Sequence, residues 1–308
     1  MLLSVVVPCY NEEKSVPLFY TAAVEVLKTL PLSYELIFVN DGSRDGTLQQ
    51  MLKLYEAHRD TVRVIDFSRN FGKEAGLLAG LRASKGDLVT VMDVDLQDPP
   101  SLLPKMLETM EKNGDDIVGT RRVDRKGEPP VRSWFARKFY KLINRYTEVE
   151  IVDGARDFRL MKRPVVDAIL SLKERNRFSK GLFVWVGFKS EYLEYENVER
   201  AAGESKWSFW KLFRYALDGI IEYTDAPLRA AAWVGGVLSA VMGIELIVLL
   251  IMSIAGSAIS SSVVLISVVL FLGGILLLAA GIIGEYLAKT YDEVRQRPPY
   301  IVKHEYRD

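Results

Sequence analysis

The first 120 residues alternate short β-branched runs with longer helical patterns, and that alternation leaves few folds open. Residues 4–8, 35–39, 62–67, 88–92 and 117–119 read as strands covered on both faces. Residues 13–29, 46–58, 73–84 and 100–112 carry helical spacing between them. The pattern predicts an α/β domain, a mainly parallel sheet with helices on both sides. In such a sheet the ligand sits beyond the C-terminal ends of the strands.

Polar residues collect at those ends. The first strand runs into Pro8-Cys9-Tyr10-Asn11-Glu12, and the second into Asn40-Asp41-Gly42-Ser43. The third ends at Ser68-Arg69-Asn70, followed by Gly72-Lys73. The fourth ends at Asp93-Val94-Asp95-Leu96-Gln97-Asp98-Pro99-Pro100. On an extended chain, residues two apart point the same way, so Asp93 and Asp95 face one side. Two carboxylates there suit a hard divalent cation, Mg²⁺ or Mn²⁺, that takes further ligands from water and phosphate oxygens. Gln97 continues the parity and adds an amide oxygen if the chain stays extended. Lys73, at a helix start, is placed to neutralise phosphate. Asp41 either accepts hydrogen bonds from a base or ribose or is simply the turn residue of Asp-Gly-Ser. Gly72, Gly76 and Gly80 recur every four residues, a stripe that fits helix–sheet packing better than ligand binding.

Composition narrows the partners. Forty Lys and Arg balance forty Asp and Glu, so the global basic field of a nucleic-acid binder is absent. Cys9 is the one cysteine, which rules out an internal disulfide and a CxxC metal site. His58 and His304 stand far apart and read as surface residues. Residues 2–7 are apolar but short, with no positive charge before them, and read as a buried strand instead of a targeting segment.

The second half changes character. Basic residues crowd positions 121–145, with Trp134, Phe135, Phe139, Leu142 and Ile143 interleaved at helical spacing. This predicts an amphipathic helix at 131–146 lying on anionic lipid. A second such helix is expected at 207–223, within a juxtamembrane segment 207–228. Residues 230–252 and 263–284 are each long enough to cross a bilayer core of about 30 Å. They predict a transmembrane hairpin over 229–288, following a domain at 1–206. Arg229 before it and Lys289, Arg295 and Arg297 after it place both flanks in the cytosol. Residues 289–308 then read as a cytosolic tail. Gly235, Ser239 and Gly243 share one helix face and allow close helix contact, within the hairpin or in a homo-oligomer. Glu245 is costly at that depth and reads as an oligomer contact or a protonated acid.

The strand-end motifs, with Asn70-Phe71-Gly72-Lys73 and Gly119-Thr120-Arg121-Arg122, resemble the inverting family 2 glycosyltransferases of GT-A (Rossmann-like) fold. The likeness is nearest to the polyprenyl-phosphate sugar transferases. These include dolichol-phosphate mannose synthase and the bactoprenol (undecaprenyl-phosphate) glucosyltransferases of the GtrB type. Asp157-Phe158-Arg159-Leu160-Met161 and the Arg200 to Trp207 segment extend it. The resemblance implies transfer of a sugar from a nucleotide-sugar donor to a polyprenyl phosphate at a lipid bilayer. UDP-glucose is the expected donor; GDP-mannose and a 4-amino-arabinose donor are the alternatives. It implies that Pro8, Tyr10, Asn11, Glu12, Asp41 and Lys73 bind the donor, and that Asp93, Asp95 and Gln97 hold the metal and diphosphate. Arg200, Ser205 and Lys206 then close over the phosphates, and Arg121 and Arg132 meet the acceptor phosphate. Asp157 is the residue suspected as a base. A phosphate monoester, with a second pKa near about 6, hardly needs one, so Asp157 is expected to orient a sugar hydroxyl or an acceptor-site arginine. An integral protein of a bacterial plasma membrane, with its site cytosolic, is implied. A processive synthase is disfavoured by the lack of a Gln-x-x-Arg-Trp segment and of further apolar spans. A membrane-tethered sensor is the non-enzyme reading, and the metal pair with Lys73, Arg200 and Lys206 argues against it.

Overall fold

The computed structural model describes residues 1–123, 152, 154–175, 177–196, 226–255 and 261–307. The chain divides into two compact units, Met1–Ala216 with Pro298–Asp308, and Leu217–Arg297.

In the first unit, β1 (Leu2–Cys9) sends alternate residues to opposite faces. Leu3, Val5 and Val7 enter one apolar core with Phe19, Phe38 and Met106. Val6 enters a second core with Leu77, Leu81, Val89 and Phe183. A strand buried on both sides needs apolar residues on both faces, and the sequence supplies them except at Ser4, whose hydroxyl donates to Glu35 Oε1 at 2.6 Å. The alternation then runs as expected through α1 (Ser15–Leu27), β2 (Ser33–Asn40), α2 (Thr47–Ala57), β3 (Val62–Phe67), α3 (Lys73–Ala83), β4 (Leu88–Val91), α4 (Leu103–Asn113) and β5 (Ile117–Arg122). β1 pairs in parallel with both β2 and β4, and β2 with β3.

Three strands were not read from the sequence. β6 (Ala155–Lys162) lies antiparallel between β4 and β5. α5 (Arg163–Ser171) and α6 (Ser179–Trp185) follow it, and then β7 (Ser190–Tyr195) pairs in parallel with β5. β8 (Val302–Tyr306) pairs antiparallel with β3, so part of the expected 289–308 tail is a strand. The eight-stranded order is β7-β5-β6-β4-β1-β2-β3-β8. β6 opens Ala-Arg-Asp and β8 reads Val-Lys-His-Glu-Tyr, so neither presents an apolar run. Their pairing is set by neighbours distant in sequence, which local pattern cannot see.

The glycine stripe on α3 divides by role. A Cβ on Gly80 would stand 2.1 Å from Val6 Cγ1, and one on Gly76 3.0 Å from Pro8 Cβ. Those two let α3 lie close on β1. Gly72 instead has open space and a φ of 100°, a conformation that favours glycine. Gly80→Ala is expected to lower stability by about 1–3 kcal/mol through overpacking, read by denaturant unfolding.

The second unit contains two long helices, α7 (Ala226–Ile254) and α8 (Ser261–Val294). They contain the expected spans 230–252 and 263–284. Among the described residues one stretch, Phe271–Val294, is long and apolar enough to cross a membrane. The predicted amphipathic helices at 131–146 and 207–223, and the side chains of Ser239, Gly243 and Glu245, lie outside the described residues.

Candidate active site

The parallel strands deliver their C-terminal ends to one edge. β6 runs the opposite way to β4, so its first residues arrive at that same edge. This brings Arg156 and Asp157 beside the loop after β4, a juxtaposition that sequence spacing does not reveal.

Lys73, the first residue of α3, stands at the centre of the cluster. Its Nζ lies 2.7 Å from Asp93 Oδ1 and 2.6 Å from Asp157 Oδ2. Burial works against the charged ammonium, but Asp157 and Asp93 override it and raise the Lys73 pKa. Burial would also raise the Asp157 carboxyl. Lys73, with Lys180 and Arg159, overrides it and holds that carboxyl well below the ordinary range. Asp157 is therefore an ionised partner of a lysine. Within the chain it bonds to Lys73, a contact beside the expected roles of orienting a sugar hydroxyl or an acceptor-site arginine.

The loop after β4 departs from the expected geometry. The strand ends at Val91, residues 94 and 95 turn, and Leu96 has a φ of 58°. The chain is not extended from Asp93 to Gln97, so the argument from alternating parity does not hold. A turn arranges these residues instead: the Gln97 N–H donates to Asp95 Oδ1 at 3.1 Å. Asp95 is buried, whereas Asp93 is partly exposed. Among the described residues, no group of three or more His, Cys, Asp or Glu side chains is gathered around a metal position. Two carboxylates and an amide still fit a cation that draws its other ligands from diphosphate and water. Asp93 also already faces a cation, the Lys73 ammonium, so the position accepts positive charge.

A second buried network was missed. Asp98 is fully buried and accepts from Arg156 Nε at 2.9 Å and from the Tyr195 hydroxyl. Among the described residues its Oδ2 has no hydrogen-bond partner. Arg156 Nη2 lies 4.0 Å from Asp93 Oδ2, which links this network to the first. Burial and the Asp98 charge both push the Tyr195 phenol up. The sequence did place Asp98 in the acidic loop, but Arg156 and Tyr195 carried no motif. Arg156→Ala would leave the Asp98 charge uncompensated, and a loss of about 3–5 kcal/mol in unfolding free energy is expected.

At the ends of β1 and β2, Asn11 has a φ of 53°. Its N–H donates to Ser43 Oγ at 2.9 Å, and its Oδ1 accepts from the Arg44 N–H at 2.8 Å. The Glu12 N–H donates to Thr47 Oγ1 at 2.7 Å, so the first two loops are tied together. Pro8 and Tyr10 are partly exposed at the same edge. Asp41 is buried, and its two oxygens accept from the N–H groups of Phe71 at 2.6 Å and Gly72 at 2.9 Å. Burial pushes its carboxyl up, while those bonds and Arg69 work in the opposite direction. Within the chain Asp41 thus holds the loop before Lys73, a role that neither sequence reading gave it. Arg121 is paired with Glu194, its register partner on β7, with Nε at 2.9 Å. Both ends of that pair are roughly half exposed. Arg132, Arg200, Ser205 and Lys206 lie outside the described residues.

Residues 4–170 match the model of glycosyl transferase family 2. A putative glycosyltransferase of Bacillus subtilis, CsbB, is 44% identical over 304 residues, spanning 98% of this chain and 91% of that one. The prophage bactoprenol glucosyl transferase homolog of Escherichia coli is 39% identical over 304 residues, spanning 98% of this chain and 99% of that one. Among solved structures, mannosyl-3-phosphoglycerate synthase from Rubrobacter xylanophilus is 19% identical with a TM-score of 0.48, covering 71% of each chain. The class follows: the protein is a glycosyltransferase. More narrowly, the chain belongs to glycosyl transferase family 2.

Proposed function

We propose that the chain transfers glucose from UDP-glucose to undecaprenyl or another polyprenyl phosphate, with inversion, in a bacterial plasma membrane with the site cytosolic. The observation that carries this reading is the Lys73 bridge between Asp93 and Asp157 at the sheet's ligand edge. It sets a cation among carboxylates where a donor diphosphate and its metal are managed. The acceptor class rests on the near full-length likeness to a protein named as a bactoprenol glucosyl transferase homolog.

In the reaction, an oxygen of the acceptor phosphate attacks the anomeric carbon. The bond from that carbon to the donor diphosphate breaks, and its electrons leave with the nucleoside diphosphate. The acceptor is already largely dianionic near pH 7, so no strong base is required. Asp93, Asp95 and Gln97 would hold Mg²⁺ or Mn²⁺, which offsets the negative charge that grows on the departing diphosphate. Asp157 holds the Lys73 ammonium in place, and Lys73 faces the phosphates. Pro8, Tyr10, Asn11 and Glu12 line the donor end, with Asp41 fixing the 70–72 backbone. Arg121, released from Glu194, and Arg132 meet the acceptor phosphate, while Arg200, Ser205 and Lys206 close on the donor. α7 and α8 act as a membrane hairpin that keeps the enzyme on the bilayer holding its acceptor, and a helix contact between copies forms a homo-oligomer.

A panel of UDP-glucose, GDP-mannose and a 4-amino-arabinose donor, each incubated with undecaprenyl phosphate, tests the donor. UDP-glucose should give lipid-linked sugar at the highest kcat/KM. Preference for another donor would overturn that assignment. Donor binding with no turnover would support a sensor.

A further inference from the structure

The chain's last eleven residues, Pro298–Asp308, belong to the unit that contains the sheet. Their strand, β8, is fixed by charge as well as by its ladder. Arg63 lies 3.1 Å from both Glu35 and Glu305. The β3–β8 register shifts between Asp66 and Phe67, so the regular ladder lapses at the very end of β3. Two other contacts take over there. The Ser68 N–H donates to the Ile301 carbonyl at 3.0 Å. Tyr300 stacks on Phe67, with ring centroids 5.0 Å apart and planes at 13°.

From Phe67 the contacts continue into the site. Phe67 meets Phe71 edge-on at 5.8 Å. The Phe71 and Gly72 N–H groups bond to Asp41, and Lys73 is the next residue. Gly72 carries a φ of 100°, and among the described residues nothing lies within 4 Å of where a Cβ would stand. A glycine of that kind fixes little by itself, so the loop depends on its partners for its shape. Asp41 holds it from one side and the aromatic series from the other.

We infer that Tyr300 is a positioning residue for the 68–73 loop: its stack on Phe67, which in turn meets Phe71 edge-on, fixes the backbone that presents Lys73 to the donor diphosphate. The inference rests on the reading that this loop meets the donor. It assigns the C-terminal segment a part in donor binding through Phe67 and Phe71.

The test uses the full-length enzyme, with UDP and Mn²⁺ as the probe. Calorimetry gives UDP affinity, steady-state kinetics give donor KM and kcat, and melting is followed separately. An aromatic pair contributes enough for Tyr300→Ala to weaken UDP binding by about 2- to 10-fold. Donor KM should rise by the same factor, with any fall in kcat no larger than that factor, because the Asp157 bond that anchors the Lys73 ammonium is retained. Tyr300→Phe keeps the stack and should restore parental affinity. Tyr300→Leu keeps apolar bulk without the stack, should weaken UDP binding by the same factor, and stands in for Tyr300→Ala where that variant folds poorly. Parental UDP affinity in Tyr300→Leu would overturn the inference, whatever its melting temperature. Failure of the parent enzyme to bind UDP would instead overturn the donor-site reading on which the inference rests.

Discussion

Asp95→Ala is expected to lower kcat/KM for sugar transfer by about 100- to 1,000-fold, the scale of losing a preorganised charge-stabilising group. Asp95 is buried, and its Oδ1 accepts the Gln97 N–H at 3.1 Å. On the proposed reading the substitution removes a cation ligand, and with it a bond that shapes the turn beside Asp93. Asp95→Asn separates the two effects, because an amide oxygen still accepts from Gln97 but carries no charge. If charge at the cation is what matters, the Asn variant should be nearly as impaired as the Ala variant. Calorimetry of UDP with and without Mn²⁺ should show the metal-dependent part of the affinity lost in both. Full metal-dependent transfer by Asp95→Ala would contradict the assignment.

Asp157→Asn is expected to lower kcat by about 100-fold or more, comparable to removing one stabilising group at the reacting centre. The reason is its 2.6 Å contact with Lys73. An amide oxygen can still accept from the ammonium but carries no charge, so the ion pair with Asp157 is lost and the one with Asp93 remains. The pH behaviour distinguishes this role from that of a base. Lys73 holds the Asp157 carboxyl below the ordinary carboxylate range, so it is ionised throughout the neutral range. A depressed folded-state pKa means that this charge favours the fold above the unfolded carboxyl's pKa, and the gain is lost as the medium is acidified through the folded value. Activity should therefore show no acidic limb near neutrality that disappears in Asp157→Asn. Such a limb in the parent, absent from the variant, would make Asp157 the base after all.

Much of this was legible in the sequence where the signal was local. The runs of β1 to β5 are mostly apolar and β-branched, and the polar residues that follow them mark the ligand edge without any tertiary information. The reading of Gly72, Gly76 and Gly80 as a packing stripe holds for Gly76 and Gly80, which share one face of α3, and fails for Gly72, which precedes the helix with a φ of 100°. What failed depended on distant partners or on backbone geometry. β6 and β8 are stabilised by neighbours remote in sequence, and both are too polar to announce themselves. Lys73 and Asp157 are 84 residues apart, so their pair has no sequence spacing to detect. The same holds for Asp98 with Tyr195, 97 residues apart. The Asp93 to Gln97 motif was found for its chemistry, but its geometry was misjudged. Left-handed Leu96 ends the extended parity, and nothing in a leucine signals that conformation.

The central claim is that the acceptor is a lipid phosphate, and one measurement bears on it most directly. Full-length enzyme in lipid is given UDP-glucose labelled in the sugar, Mn²⁺, and either undecaprenyl phosphate or undecaprenol. The account predicts that label passes into the organic phase only with the phosphate present, and that EDTA abolishes the transfer. Equal transfer to undecaprenol, or label released only as free glucose, would contradict it.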